Sequence, residues 1–258
     1  MTESARRRYR ARVEYDGSDF AGFQLQREAR TVQGELEAAL ANLNRGERVV
    51  VDGAGRTDAG VHATGQVIAF TYAGRLDGRA LEQAVNALLP RDVAIRDVTP
   101  VAAGFHPRRA ARYREYRYTV WNGPRSPLRE RTALGVRVPL DATAMAEAAS
   151  VFIGRHDFSS FGGADRSTVR TVHAVRVRRQ GQVVMIDVRA DAFLRGQVRR
   201  MVAALLEVGQ GRLTATGLAA ALAVGRPALD GAMAPPHGLC LRHVALGRRP
   251  AAAEGHEE

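Results

Sequence analysis

Apolar and polar positions alternate at the start of the chain. Tyr9, Ala11, Val13 and Tyr15 fall on one face, with Arg8, Arg10, Arg12 and Glu14 on the other, the pattern of a strand with one buried side. The period then lengthens. Val32, Leu36, Leu40 and Leu43 recur at helical spacing behind Thr31, a residue type that caps helix N-termini. Residues 49–51 predict a short strand, 53–60 a glycine-rich loop and 66–72 another strand. Asp77 precedes a second apolar stripe of Leu81, Val85 and Leu88 that Pro90 stops, and residues 93–98 predict a closing strand.

The second half repeats this β-α-β-β-α-β order without repeating its sequence. Residues 112–121 alternate as a strand, and Asp141 caps a helix carrying Met145, Ala148 and Phe152. Residues 171–179 and 183–190 predict a hairpin around Gln180-Gly181-Gln182. A helix over 194–208, a shorter one over 217–224 and a strand at Leu239–Leu246 complete the set. The pattern predicts an α+β protein of two ferredoxin-like β-α-β-β-α-β subdomains, residues 1–104 and 105–247, with a central cleft between them. The polar stretch 248–258 predicts a disordered tail. One common RNA-binding module shares the topology, but its basic-Gly-aromatic strand signature is absent from this sequence. Fold alone leaves function open.

Composition narrows the choice. The 258 residues contain no lysine, so all 38 basic positions are arginine. That removes Schiff-base chemistry and the phosphate-binding Walker loop, which both need a lysine. The single cysteine, Cys240, excludes an internal disulfide, a CxxC redox pair and a cysteine-rich zinc site. With no N-terminal apolar stretch, it fits a reducing cytoplasm, and no apolar run is long enough to span a membrane. The missing lysine is the signature of a GC-rich genome; the excess of base over acid is not. Residues 1–104 hold 14 arginines and 14 acids, whereas 105–258 hold 24 arginines and 13 acids, so the net +11 belongs to the second half. Nine of those arginines fall within 105–137, interleaved with Tyr113, Tyr116, Tyr118 and Trp121. A clustered basic and aromatic surface points to nucleic acid.

The chemistry concentrates in Gly53-Ala54-Gly55-Arg56-Thr57-Asp58-Ala59-Gly60-Val61-His62-Ala63. Glycines permit unusual dihedrals and close backbone approach. In extended backbone Arg56 and Asp58 would point the same way and pair, and an arginine so placed aims the carboxylate oxygens. Such a carboxylate can act as a nucleophile. The same two residues could instead bridge merely to hold a turn. His62 suggests a metal site with Asp58, but no HxxxH pair or third carboxylate is spaced to complete it.

This eleven-residue motif closely resembles the active-site motif of the tRNA pseudouridine synthase A family. Glu14-Tyr15-Asp16-Gly17, Phe20-Ala21-Gly22-Phe23-Gln24, the strand at 112–118, residues 155–161, 193–202 and Gly238-Leu239-Cys240-Leu241 resemble further family segments, in order along nearly the whole chain. The resemblance implies the pseudouridine synthase fold. It also implies a cofactor-free and metal-free isomerase that converts uridine to pseudouridine at positions 38, 39 and 40 of the tRNA anticodon stem-loop. Asp58 would be the nucleophile, attacking either C6 of the base or the anomeric carbon. Tyr116 would stack on the uracil, Arg56 and Arg199 would flank Asp58, and Leu239 would wall the pocket. On pattern alone, Tyr116 and Leu239 read as core and Arg199 as part of a solvated helix face. The family also implies a homodimer, with one tRNA touching both subunits. Phe23, Gln197, Ala203 and Cys240 stand where the family more often has Trp, Met, Gly and Tyr. Two rivals share the sequence features: an RNA-binding module without catalysis, and a metal-dependent RNA hydrolase using Asp58 and His62.

Overall fold

A computed structural model describes residues 6–163, 167–225 and 231–247. The tail expected to be disordered, 248–258, lies outside them. Strand β1 (Arg7–Tyr15) buries the predicted face, Tyr9, Ala11, Val13 and Tyr15. Helix α1 (Val32–Leu43) begins where Thr31 Oγ1 accepts from the Gly34 N–H at 3.2 Å.

The strand expected over 49–51 does not form. Val51 N–H donates to Glu37 Oε1 at 3.1 Å and its carbonyl accepts from Gln33 Nε2 at 3.1 Å. Side chains of α1 thus take the hydrogen bonds a neighbouring strand would have made. What remains is a two-residue β2 (Asp52–Gly53), paired with Ala69 and Ile68 of β3 (His62–Tyr72). β3 starts four residues before the predicted 66, so the end of the glycine-rich motif is already sheet. Helix α2 (Gly78–Leu88), capped by Asp77, and β4 (Val93–Val101) follow.

A short helix α3 (Pro107–Ala110) leads into β5 (Ala111–Trp121). Next come β6 (Leu134–Gly135) and α4 (Ala142–Ala149), where Asp141 Oδ1 accepts from the Thr143 and Ala144 N–H groups at 2.9 Å. Phe152 falls just beyond, in a 3-10 turn. After β7 (Gly154–Asp157), β8 (Val169–Gln180) and β9 (Val183–Ala190) form the predicted hairpin, with Gly181 supplying the positive φ of +57° that its two-residue loop requires. Helix α5 (Gln197–Gly209) starts three residues later than expected. Gly196 at φ +72° breaks the chain direction, and Gln197 Oε1 turns back to accept from the Leu194 N–H at 2.8 Å. Helix α6 (Ala215–Val224) and β10 (Leu239–Leu246) end the order.

The strands run β4-β1-β3-β10-β5-β9-β8-β7, with β2 on β3 and β6 on β5. With the short β6 and β7 set aside, each half shows the same internal order, its fourth strand beside its first, then its third, then its second. The stunted β2 decides how the halves meet. Because it covers only Ala69 and Ile68, the other end of β3 is free to pair with β10, in parallel, through Cys240 with His62 and Leu241 with Ala63. One sheet and one contiguous buried core therefore run through both halves. Among the described residues no helix is long and apolar enough to cross a membrane.

Candidate active site

Parallel pairing of β3 with β10 brings together whatever precedes each strand. Before β3 lies the glycine-rich loop with Asp58; before β10 lies the turn Pro236–Gly238. The two touch closely enough that a Cβ on Gly60 would stand 2.8 Å from Pro236 Cγ.

The loop is held along its length. Ala54 N–H donates to Val67 O at 2.8 Å, and Gln66 Nε2 donates to Gly55 O at 2.9 Å. Phe23 N–H donates to Thr57 O at 3.1 Å, Gly60 N–H to Phe20 O at 3.2 Å, and the Tyr15 and Thr57 hydroxyls pair at 2.8 Å. Gly22, at φ +104°, lies so close that a Cβ there would come within 2.8 Å of Thr57 O. A loop fixed at this many points presents its side chains in one arrangement, which a catalytic group requires.

Asp58 is partly exposed, with 27% of its side chain accessible. Its cationic partners come from the far half of the chain: Arg199 Nη1 at 3.5 Å from Oδ2 and Arg195 Nε at 3.9 Å from Oδ1. Arg199 is itself fixed, because its Nε donates to Ala234 O at 2.7 Å. Arg195 is 89% exposed. The pairing of Arg56 with Asp58 expected from their spacing is not formed. Tyr15 draws Thr57 inward, and Arg56 beside it is exposed and makes no ion pair among the described residues. The chain conformation here is set by the hydroxyl contact, not by strand alternation.

Tyr116 lies on β5 between Leu241 of β10 and Val188 of β9, 8% exposed, and meets Phe193 edge to face with centroids 5.3 Å apart. Burial pushes its phenol well above the usual range; the Arg114 guanidinium opposes this and the Asp58 carboxylate adds to it. Tyr116 therefore presents a neutral ring near Asp58. Leu239 opens β10 opposite Tyr118, whose hydroxyl donates to Pro235 O at 2.8 Å.

His62 faces another task. Gly17 N–H donates to its Nδ1 at 3.0 Å, which leaves Nε2 to donate to His237 O at 3.0 Å. Both ring nitrogens tie the β1 turn to the turn before β10, so neither is available beside Asp58 as a ligand.

Arg114 is a site residue that the sequence pattern did not single out. It is only 9% exposed, and its Nη2 donates to Ala54 O at 2.6 Å while its Nη1 donates to Asp191 O at 2.7 Å. It thus clasps the Asp58 loop to the segment carrying Phe193. A signal was present: Arg114 shares parity with Tyr116, Tyr118 and Val120 on β5, an arginine among inward-facing positions. Arg195 had no such signal, since it lies in the turn before α5 rather than on it.

Comparison with known proteins agrees with the motif. The family described as tRNA pseudouridine synthase matches residues 11–108 and 148–245. The tRNA pseudouridine synthase A of Geobacter sulfurreducens is 44% identical over 236 residues, covering 90% of this chain and 96% of that protein. Its counterpart in Geotalea uraniireducens is 42% identical with the same coverage, and that of Myxococcus xanthus is 43% identical over 242 residues, 92% of this chain and 91% of that protein.

Proposed function

We propose, on the premise that the chain belongs to the tRNA pseudouridine synthase A family and isomerises uridine to pseudouridine in tRNA, that Asp58 is the nucleophile and that the targets are positions 38, 39 and 40 of the anticodon stem-loop. The observation that supports Asp58 most is its setting: a carboxylate on a loop held by both halves of the chain, 3.5 Å from the anchored Arg199.

The reaction breaks the N1–C1′ bond, forms a C5–C1′ bond and moves one proton from C5 to N1. Electrons balance without an oxidant or reductant. Asp58 begins it by attack on C6 of the base or on C1′ of the sugar, and leaves when the new bond is made. Arg199 holds the carboxylate in place. Tyr116 supplies a stacking face for the flipped uracil, worth roughly 1–3 kcal/mol, and Leu239 closes the pocket with an apolar wall. A paired stem base is out of reach inside its helix and must be extruded. Arg56, exposed and without an ion-pair partner among the described residues, fills the vacated position or grips a phosphate. Homodimerisation and residence in the cytoplasm belong to the same reading.

The test is to map pseudouridine in a tRNA transcript carrying uridine at 38, 39 and 40, after incubation with wild-type, Asp58→Ala and Asp58→Asn protein. Wild type modifies those positions with intact strands and in the presence of chelator. The variants bind tRNA but form no pseudouridine. Product from Asp58→Ala would remove Asp58 as nucleophile, and product only outside the anticodon arm would remove the target assignment.

A further inference from the structure

The turn Pro236–Gly238, which packs against Gly60 of the Asp58 loop, also borders through His237 an open cleft of about 350 Å³. Trp121, Arg125, Arg129, Glu130, Arg137 and His237 are among its lining residues. Its size falls at the lower end of small-molecule pockets, roughly 300–1,000 Å³, which suits one nucleotide and not a duplex.

Part of the charge in this cleft is uncommitted. Arg125 is paired with Glu130 at 2.9 Å. Among the described residues neither Arg129 nor Arg137 makes an ion pair. Arg129 lies over the Trp121 ring, its guanidinium 4.5 Å from the centroid, and the indole is fixed in turn by Nε1 donating to Pro124 O at 2.5 Å. A guanidinium stacked this way keeps its N–H edge and its outer face free. The edge can donate to phosphate in bidentate fashion, and the face can stack on a base.

The cleft is also coupled to the reaction centre. His237, which lines it, receives the His62 hydrogen bond through its carbonyl and leads through Gly238 to Leu239. From the same 125–137 segment, Arg131 reaches Asp16 at 3.1 Å and Asp19 at 2.8 Å, on the turn whose Gly17 holds His62. The segment is thereby docked against the supports of the Asp58 loop.

We propose that this cleft is a second RNA subsite, holding one nucleotide that flanks the one at Asp58. Its phosphate meets Arg137 and the edge of Arg129, and its base lies on the Arg129–Trp121 stack. The inference rests on tRNA being the substrate, not on which uridine is modified or on Asp58 being the nucleophile.

Trp121 is the single tryptophan of the chain, so emission excited beyond the absorption of the tyrosines reads this cleft alone. Full-length Asp58→Ala protein is titrated with unmodified tRNA transcript and followed by tryptophan emission and by filter binding. Emission is expected to change in step with filter binding. In the same background Arg129→Ala/Arg137→Ala raises Kd about tenfold and makes the log–log salt dependence shallower by about 1, as expected for one lost phosphate contact. Arg137→Ala alone, at an exposed position, gives about a threefold rise with unaltered melting, which separates binding from folding. Arg79→Ala/Arg91→Ala removes equal charge from exposed positions of the first half and leaves Kd within about twofold. Unchanged emission while filters retain tRNA, wild-type affinity in the cleft variants, or equal weakening by the control pair would each overturn the subsite.

Discussion

A Cβ on Gly17 would stand 2.0 Å from the carbonyl oxygen of Val61 and 2.5 Å from its carbonyl carbon. Both are backbone atoms three residues past Asp58, so no side chain can move aside to make room. Gly17 also supplies the N–H that holds His62 at 3.0 Å. Gly17→Ala is expected to cost about 2–3 kcal/mol, seen as a lower urea midpoint with the slope unchanged. Gly104, where an added methyl group would meet nothing within 4 Å, is the contrast: Gly104→Ala should stay within about 0.5 kcal/mol of wild type. At this scale the motif made Asp58 legible by residue identity. The position of Arg56 was not legible, because it follows from a Tyr15–Thr57 contact across 42 residues of sequence.

Strands β5, β8 and β9 carry a different kind of constraint on the face away from the core. Asp187 of β9 sits opposite Arg117, which grips it through Nε at 2.7 Å and Nη2 at 3.1 Å, while Arg178 of β8 adds Nη2 at 2.6 Å. Burial by itself raises the Asp187 pKa, but the hydrogen bonds and charges of Arg117 and Arg178 outweigh it and hold the group below its ordinary value. A folded pKa below the unfolded one contributes stability that is complete above the unfolded value, about 3.9, and is lost as pH falls through the folded one. Asp187→Asn should therefore lower stability at pH 7 by about 1–3 kcal/mol, and the gap to wild type should close below about pH 4. Urea midpoints across that range check it. Elements of this kind were readable where one face is buried and a cap marks the start, as in β1, α1, α2 and α4. They were not readable where a side chain stands in for backbone. Glu37 and Gln33 replace a strand at Val51, and Gln197 delays α5, substitutions that hydrophobic period does not register.

Across the whole molecule, the site is assembled from parts that neither half owns. The half without net charge carries Asp58, and the basic half carries Arg199, Tyr116, Leu239 and Arg114. Arg114 makes the dependence measurable, since it joins Ala54 O to Asp191 O across the joint. Arg114→Met leaves both carbonyls without that donor and loosens the Asp58 loop. It is expected to lower kcat about 10–100-fold, because small misplacements of a reacting group carry costs of that order, with a smaller change in KM for tRNA. Arg114→Lys, able to reach one carbonyl, should recover part of kcat, and a purely structural loss would instead scale with the fraction folded. The parallel joint of β3 with β10 has one more consequence, in time instead of space. A ribosome makes residue 58 long before residues 239–246, at roughly 5–20 residues per second. The growing chain therefore carries Asp58 for much of its synthesis without Arg199 or Leu239. The candidate site is complete only when the last strand pairs with β3, and a prematurely ended chain lacking that strand would leave the Asp58 loop beside an open sheet edge.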